Sequence, residues 1–206
     1  MKEQFSGKFI VLDGPDGCGK STQAGMLVKW LKKQGVKVVS FRDPGTTKIG
    51  EKIRRILLNP AHDVMNVNTE VLLYMAARAQ LWSEKIRGAL DDGKCVLMDR
   101  WISSTCAYQG HAGGFGLENV VKVGQICLER LWPDLTVVLD VNIETAARRM
   151  DRALDRMEQK SGEYHEKVRE GYLELAIYHD RVVVIDADAT REQVHERIVE
   201  ALEKRF

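Results

Sequence analysis

"FIVLDGPDGCGKST", residues 9–22, decides how the rest of the chain is read. A short apolar run ends in Asp13 and passes into glycines, a lysine and two hydroxyls. The spacing of Gly14, four residues, Gly19, Lys20 and Ser21 is that of a P-loop, in which glycines let successive backbone N–H groups turn inward around a phosphate. The loop would be formed by Gly14, Pro15, Asp16, Gly17, Cys18, Gly19, Lys20, Ser21 and Thr22. Lys20 would reach the β and γ phosphates of a nucleoside triphosphate such as ATP, and Ser21 would offer its hydroxyl to Mg²⁺. The segment "KSTQAGMLVKWLKKQ" has helical period and would aim the positive end of its dipole at the same anion. A glycine-rich turn that merely starts a helix is the bland alternative; an apolar strand before the motif and an amphipathic helix after it argue against it.

Outward from the loop, "KFIVLD", "VKVVSF", "KCVLMD", "LTVVLDV" and "RVVVID" are continuous apolar runs suited to a parallel sheet covered on both faces. Stretches of helical period lie between them at 20–34, 48–58, 67–91, 117–131, 161–180 and 190–205. Alternation of this kind predicts a doubly wound α/β domain with its ligands at the carboxyl ends of the strands. With 206 residues, 44% of them hydrophobic, and no linker or repeat, a single domain spanning 1–206 is expected. Lys and Arg (31) nearly balance Asp and Glu (30), which leaves no electrostatic footprint for nucleic acid or a membrane surface. The amino terminus does not read as a signal peptide, and Cys18, Cys95, Cys106 and Cys127 form no C-x-x-C pair. A cytoplasmic protein with reduced thiols is expected.

Three of the later strands end in aspartate, at Asp99, Asp140 and Asp186. Only Asp99 is followed by a cation, in "DRWISSTCAYQG", so Asp99 is the candidate metal partner of Ser21. Arg100 would present a planar donor fork to a transferring phosphoryl group. Further on, "ARRMDRALDRMEQ", residues 147–159, repeats arginine among acids. On spacing alone a solvated face laced with i, i+4 pairs is the simpler account; a mobile lid that closes over the nucleotide is the other.

Together with "FRDPGTTKIGEKIRRILL", "LLYMAARAQLW", "EGYLELA" and "VIDADATREQV", these motifs resemble, in order and over nearly the whole chain, the thymidylate kinase family. The resemblance implies a P-loop nucleoside-monophosphate-kinase fold: five parallel strands flanked by helices, with a mobile lid at about 147–159. It also implies ATP and dTMP as substrates, Mg²⁺ as cofactor and a homodimer. Residue by residue, it places Asp16 near the sugar hydroxyl and acceptor phosphate, and Arg100 between the donor and acceptor phosphates. Tyr74 stands where a phenylalanine usually stacks on thymine, Arg78 one turn later at the base edge, Ser104 and Thr105 at the pyrimidine edge, and Tyr108 under the deoxyribose. Asp43 and Pro44 join the acceptor site. Arg149, Arg152 and Arg156 are the group from which the lid's cation comes, with Arg152 placed at the reaction and Arg149 and Arg156 on ATP.

Some positions depart from the family's pattern. "RDPGTT" carries Asp43 for glutamate and Thr46 for a second glycine, and Trp101 replaces a more usual tyrosine or histidine. A deoxynucleoside kinase would need a carboxylate base for its hydroxyl acceptor and usually follows the arginine with serine. An adenylate-type kinase fits the Tyr74 and Arg78 pair less well, and a GTP switch would carry N-K-x-D, which is absent. Residues 71–79, "VLLYMAARA", are apolar around nearly the whole helix, so a central core helix and a subunit interface are both open.

Overall fold

The computed structural model describes residues 2–206. Its centre is a five-stranded parallel sheet in the order β2-β3-β1-β4-β5, with β1 Phe9–Asp13, β2 Val38–Arg42, β3 Cys95–Asp99, β4 Leu135–Asp140 and β5 Val182–Asp186. All five apolar runs became strands, as expected. Every residue of β1 is buried, whereas the edge strands β2 and β5 carry half-buried and exposed positions in alternation. Alternate side chains feed two cores. Ile10, Leu12, Leu97, Val137 and Leu139 pack on Leu27 and Leu31 of α1 (Lys20–Lys33) on one face. Phe9, Val11, Val96 and Met98 pack on the other against Val71, Met75 and Leu81 of α3 (Val67–Leu81). Each such side chain contributes about 1.5–3 kcal/mol by leaving water.

The remaining helices are α2 (Lys48–Leu58), α4 (Arg87–Asp91), α5 (Ile102–Thr105), α6 (Leu117–Cys127), α7 (Ile143–Arg148), α8 (Gly162–Tyr178) and α9 (Arg191–Arg205). Most starts are set by short polar caps: Thr47, Asn66, Asn142, Ser161 and Thr190 each accept a backbone N–H from the first turn. The expected helix over 67–91 runs as α3 and α4 joined by a π-helical turn, Trp82–Ile86. The one over 117–131 stops at Cys127. Leu128 is extended and the chain doubles back, so that Leu131 lies where a side chain at Gly124 would stand, its Cδ1 2.5 Å from the Cβ position. Residues 147–159 are not one helix: α7 ends at Arg148, and an irregular loop, solvated over 151–154 but buried at 156–158, leads to α8.

Two close approaches position the site. A Cβ at Gly171 of α8 would lie 3.0 Å from Cα of Ala107 and 2.8 Å from Cβ of His111, so glycine lets α8 nest against the π-helical turn Cys106–Ala112. Gly17, at φ 78°, would place a Cβ 2.3 Å from the carbonyl oxygen of Ala146, so α7 sits directly on the P-loop. No helix among the described residues is long and apolar enough to cross a membrane.

Candidate active site

Parallel pairing of β1 with β3 brings Leu12 opposite Asp99, so the loop after β1 and the Asp99–Arg100 pair emerge side by side. Above them opens a cleft of about 660 Å³. Gly14, Gly17 and Gly19 all take positive φ, as an inward-turned loop requires. Lys20 is nearly buried, and its Nζ donates to the carbonyls of Gly14 (3.1 Å) and Pro15 (2.7 Å). The Cys18 thiol beside it is pushed up by burial, against the pull of Lys20, and fills space as a packed side chain. Ser21 donates its hydroxyl to Oδ2 of Asp99 at 2.8 Å, and Thr22 lines the cleft.

Arg100 is the hub. It holds φ 71°, a left-handed conformation that costs a non-glycine residue of order 1 kcal/mol. Its Nη1 donates to the Gly14 carbonyl (2.9 Å), Ser104 Oγ (3.0 Å) and Tyr172 Oη (3.1 Å), and its Nη2 pairs with Asp16. Its guanidinium carbon stands 5.3 Å from the centre of the Tyr108 ring, and Tyr108 Oη donates to Oδ2 of Asp16 at 2.7 Å. Burial works against the charge on Asp16. Arg100 first, then Lys20 and the Tyr108 hydroxyl, outweigh it and hold the carboxyl well below the usual carboxylate range. Burial pushes the Tyr108 phenol up, as does the nearby Asp16, with Arg100 acting in the opposite sense.

On α3, Arg78 is almost fully buried. It donates through Nε to Asp43 Oδ2 (2.8 Å) and through Nη2 to the Trp101 carbonyl (3.1 Å) and Thr105 Oγ1 (3.2 Å). The second oxygen of Asp43 is buried without a protein partner. Trp101 lies beneath, its ring 5.2 Å from the Arg78 guanidinium and edge-on to Phe9. Tyr74, Pro44 and Arg78 all line the cleft. Thr46 takes φ 66°, held by Oγ1 accepting from Arg42 N (3.0 Å) and by its own N–H on Glu51 (2.7 Å).

Ser104, Arg149 and Arg152 line the cleft as the sequence suggested, each held by a protein partner; Arg156 alone of the lid arginines stands elsewhere. Ser104 faces Asp13, donating to Oδ1 at 2.6 Å, and so supports Arg100. Arg149 donates to the Ala187 carbonyl (3.1 Å) at the rim, and Arg152 is held by both oxygens of Glu158. Arg156, expected on ATP, is instead buried with Glu70 behind the cleft wall. Its neighbours Asp155 and Met157 line the cleft; Arg156 does not.

The site also contains residues that no sequence motif assigned a role. Asp13 ends its strand just as Asp99 does, and its buried carboxylate accepts from Ser103 (2.5 Å), Ser104 and Tyr172 (2.6 Å). The strand-end signal is present for Asp13; Tyr172 lies in "EGYLELA", which carries no cue to a partner 159 residues away. Arg54, Gln109 and Glu158 also line the cleft, with Arg54 donating to the Pro44 carbonyl at 3.0 Å.

The family model described as thymidylate kinase matches residues 12–198. The chain is 47% identical over 204 residues to a thymidylate kinase of Symbiobacterium thermophilum, covering 96% of this chain and 95% of that protein. It is 46% identical over 200 residues to one of Caldanaerobacter subterraneus subsp. tengcongensis, with 96% of each covered. A crystal structure of thymidylate kinase from Ehrlichia chaffeensis superposes with a TM-score of 0.80 at 28% identity, covering 96% of this chain and 99% of that one. With a P-loop, a strand-end Asp-Arg pair and the 149–158 loop around one cleft, and with these similarities along nearly its whole length, the chain belongs to the thymidylate kinase family of phosphotransferases.

Proposed function

We propose that this protein phosphorylates dTMP to dTDP with ATP, the γ-phosphoryl passing directly in line between two phosphates held in the one cleft. The observation that carries the mechanism is the convergence of Lys20, Arg100 and the lid's Arg152 on a space bounded by Tyr74, Arg78 and Tyr108. An acceptor phosphate has its second pKa near about 6 and is mostly dianionic at pH 7, so no general base is required. The obstacle is repulsion between anions, and positioned cations reduce it. Arg100, preorganised by Asp13, Asp16 and Tyr172, supplies a donor fork that need not reorganise. Lys20 and the P-loop amides hold the donor; Arg152 leaves Glu158 to close the other side.

The Ser21 hydroxyl and the Asp99 carboxylate are hard oxygen donors in contact with each other, a set that suits Mg²⁺. They would hold it beside the loop, where the ion supplies neutralisation of phosphate charge. On the acceptor side, Tyr74 would cover the base while Arg78, aligned by Asp43, reads its edge. Turnover with ATP should be strongest with dTMP and absent with thymidine, in a panel that also holds dUMP, UMP, dCMP and AMP. Turnover with thymidine alone would move the acceptor to a hydroxyl and overturn the mechanism.

A homodimer belongs to the same proposal. Neighbouring helices α2, α3 and α6 leave Ile49, Ile56, Leu72 and Ile126 exposed, Leu72 by 62% and Ile126 by 85%, an apolar set of the kind subunits cover. Sedimentation at micromolar concentration should give a dimer; a monomer throughout that range would refute it. A cytoplasmic setting is supported by four unpaired cysteines, three of them buried.

A further inference from the structure

Arg156 makes contacts that no nucleotide explains. Its Nη1 donates to Oε1 of Glu70 (2.6 Å), its Nε to the Leu57 carbonyl (2.7 Å), and its backbone N–H to the Leu58 carbonyl (3.1 Å). The other oxygen of Glu70 accepts from Nε2 of Gln109 at 2.9 Å. Arg156 and Glu70 are 4% exposed, and they tie the lid loop to the end of α2, the first turn of α3 and the π-helical turn Cys106–Ala112.

The residues flanking Arg156 point the other way. Asp155 Oδ1 accepts from the backbone N–H of Met157 (2.9 Å) and of Glu158 (3.1 Å), which makes a tight turn. Asp155, Met157 and Glu158 line the cleft, and Glu158 in turn holds Arg152. Glu70 lies one helical turn before Tyr74, on the same side of α3. A buried ion pair adds little net stability compared with apolar side chains of the same volume. What its rigid fork does provide is direction, since it fixes three separate segments at once.

We propose that Arg156 is a positioning residue: buried against Glu70, it pins the second root of the lid to the helix that carries Tyr74, and so sets where Asp155, Glu158 and, through Glu158, Arg152 stand over the reacting phosphates. This inference rests on the phosphoryl-transfer function proposed above. It makes the lid's resting place depend on the wall of the acceptor site, not on ATP alone.

The test compares Arg156→Met, Arg156→Lys, Glu70→Gln and the double variant E70Q/R156M in the full chain. Measured are thermal unfolding, ATP affinity without acceptor, kcat and KM for both substrates, and the rate of tryptic cleavage at Arg148, Arg149 and Arg152. In folded variants ATP affinity should stay within about threefold of the parent while kcat falls about tenfold or more, the scale of a misplaced catalytic group. Tryptic cleavage of the lid should quicken by a similar factor. Loss in the double variant should match that of either single one, because both remove the same pin.

Should Arg156→Met not fold, E70M/R156M replaces both charges with apolar stems and should fold with the same loss of kcat. Parent-like kcat in folded variants would overturn the inference. So would ATP binding weakened tenfold by Arg156→Met but untouched by Glu70→Gln, which would make Arg156 a nucleotide ligand. A parent protein that cleaves slowly in the lid but does not phosphorylate dTMP would overturn the function and leave the pin standing.

Discussion

Arg100→Ala should fold and bind ATP, yet lose kcat by about two to three orders of magnitude, about 3–4 kcal/mol of barrier. The size follows from where the guanidinium stands. It is buried to within 17% of its side-chain surface, held by Asp16, Gly14, Ser104 and Tyr172, and pre-aimed before any substrate arrives. Burial opposes its charge, but Asp16 and the surrounding phenols keep it protonated far above neutral pH. Water entering the space left by alanine would have to reorient around the developing charge; the fixed fork does not. Arg100→Lys keeps a charge but not the fork, and should recover only part of the loss. Steady-state kinetics beside a thermal melt decide the matter. Turnover within threefold of the parent, in a folded variant, would remove Arg100 from the mechanism.

Asp13→Ala should cost about 3–5 kcal/mol of folding stability, because it leaves buried donors with nothing to receive them. Asp13 has no exposed surface, and its carboxylate accepts from Ser103, Ser104, Tyr172 and the Gly14 N–H, with Arg100 Nη1 at 3.4 Å. These donors come from the P-loop, the strand end, α5 and α8, so removing one side chain loosens the base of the whole cleft. For a chain of this length such a loss lowers Tm by roughly 10 °C or more. Urea unfolding of Asp13→Ala and Asp13→Asn would measure it. The amide should fall between alanine and the parent, since it retains an acceptor but adds a donor where only donors already point. A loss below about 1 kcal/mol for alanine would mean the network is not what holds Arg100.

How much of this was legible without coordinates varies with the range of the interaction. Strands, most helix boundaries and the P-loop rest on neighbours in sequence: period, caps, glycines and a lysine at fixed spacing. Asp99 beside Ser21 follows from the parallel sheet in which β1 and β3 are neighbours, because register places neighbouring strand ends together. The early stop of α6 was not legible. It depends on Leu131 folding back onto Gly124, a contact with no local signature.

Within the cleft the same division holds. Composition and motif alone determined a phosphate-binding α/β chain with a cation at the end of its third strand, for these follow from residue type and short-range spacing. Which arginine serves which purpose was decided only by tertiary structure. Arg149, Arg152 and Arg156 are alike in a charge run, yet one reaches the rim, one rests on Glu158, and one is buried on Glu70. Asp13 and Tyr172, far apart in the chain, become one support for Arg100 because α8 can approach through Gly171. A side chain's charge is written in the sequence; its partner, and with it its role, is set by whichever distant group the packed fold brings within hydrogen-bonding distance.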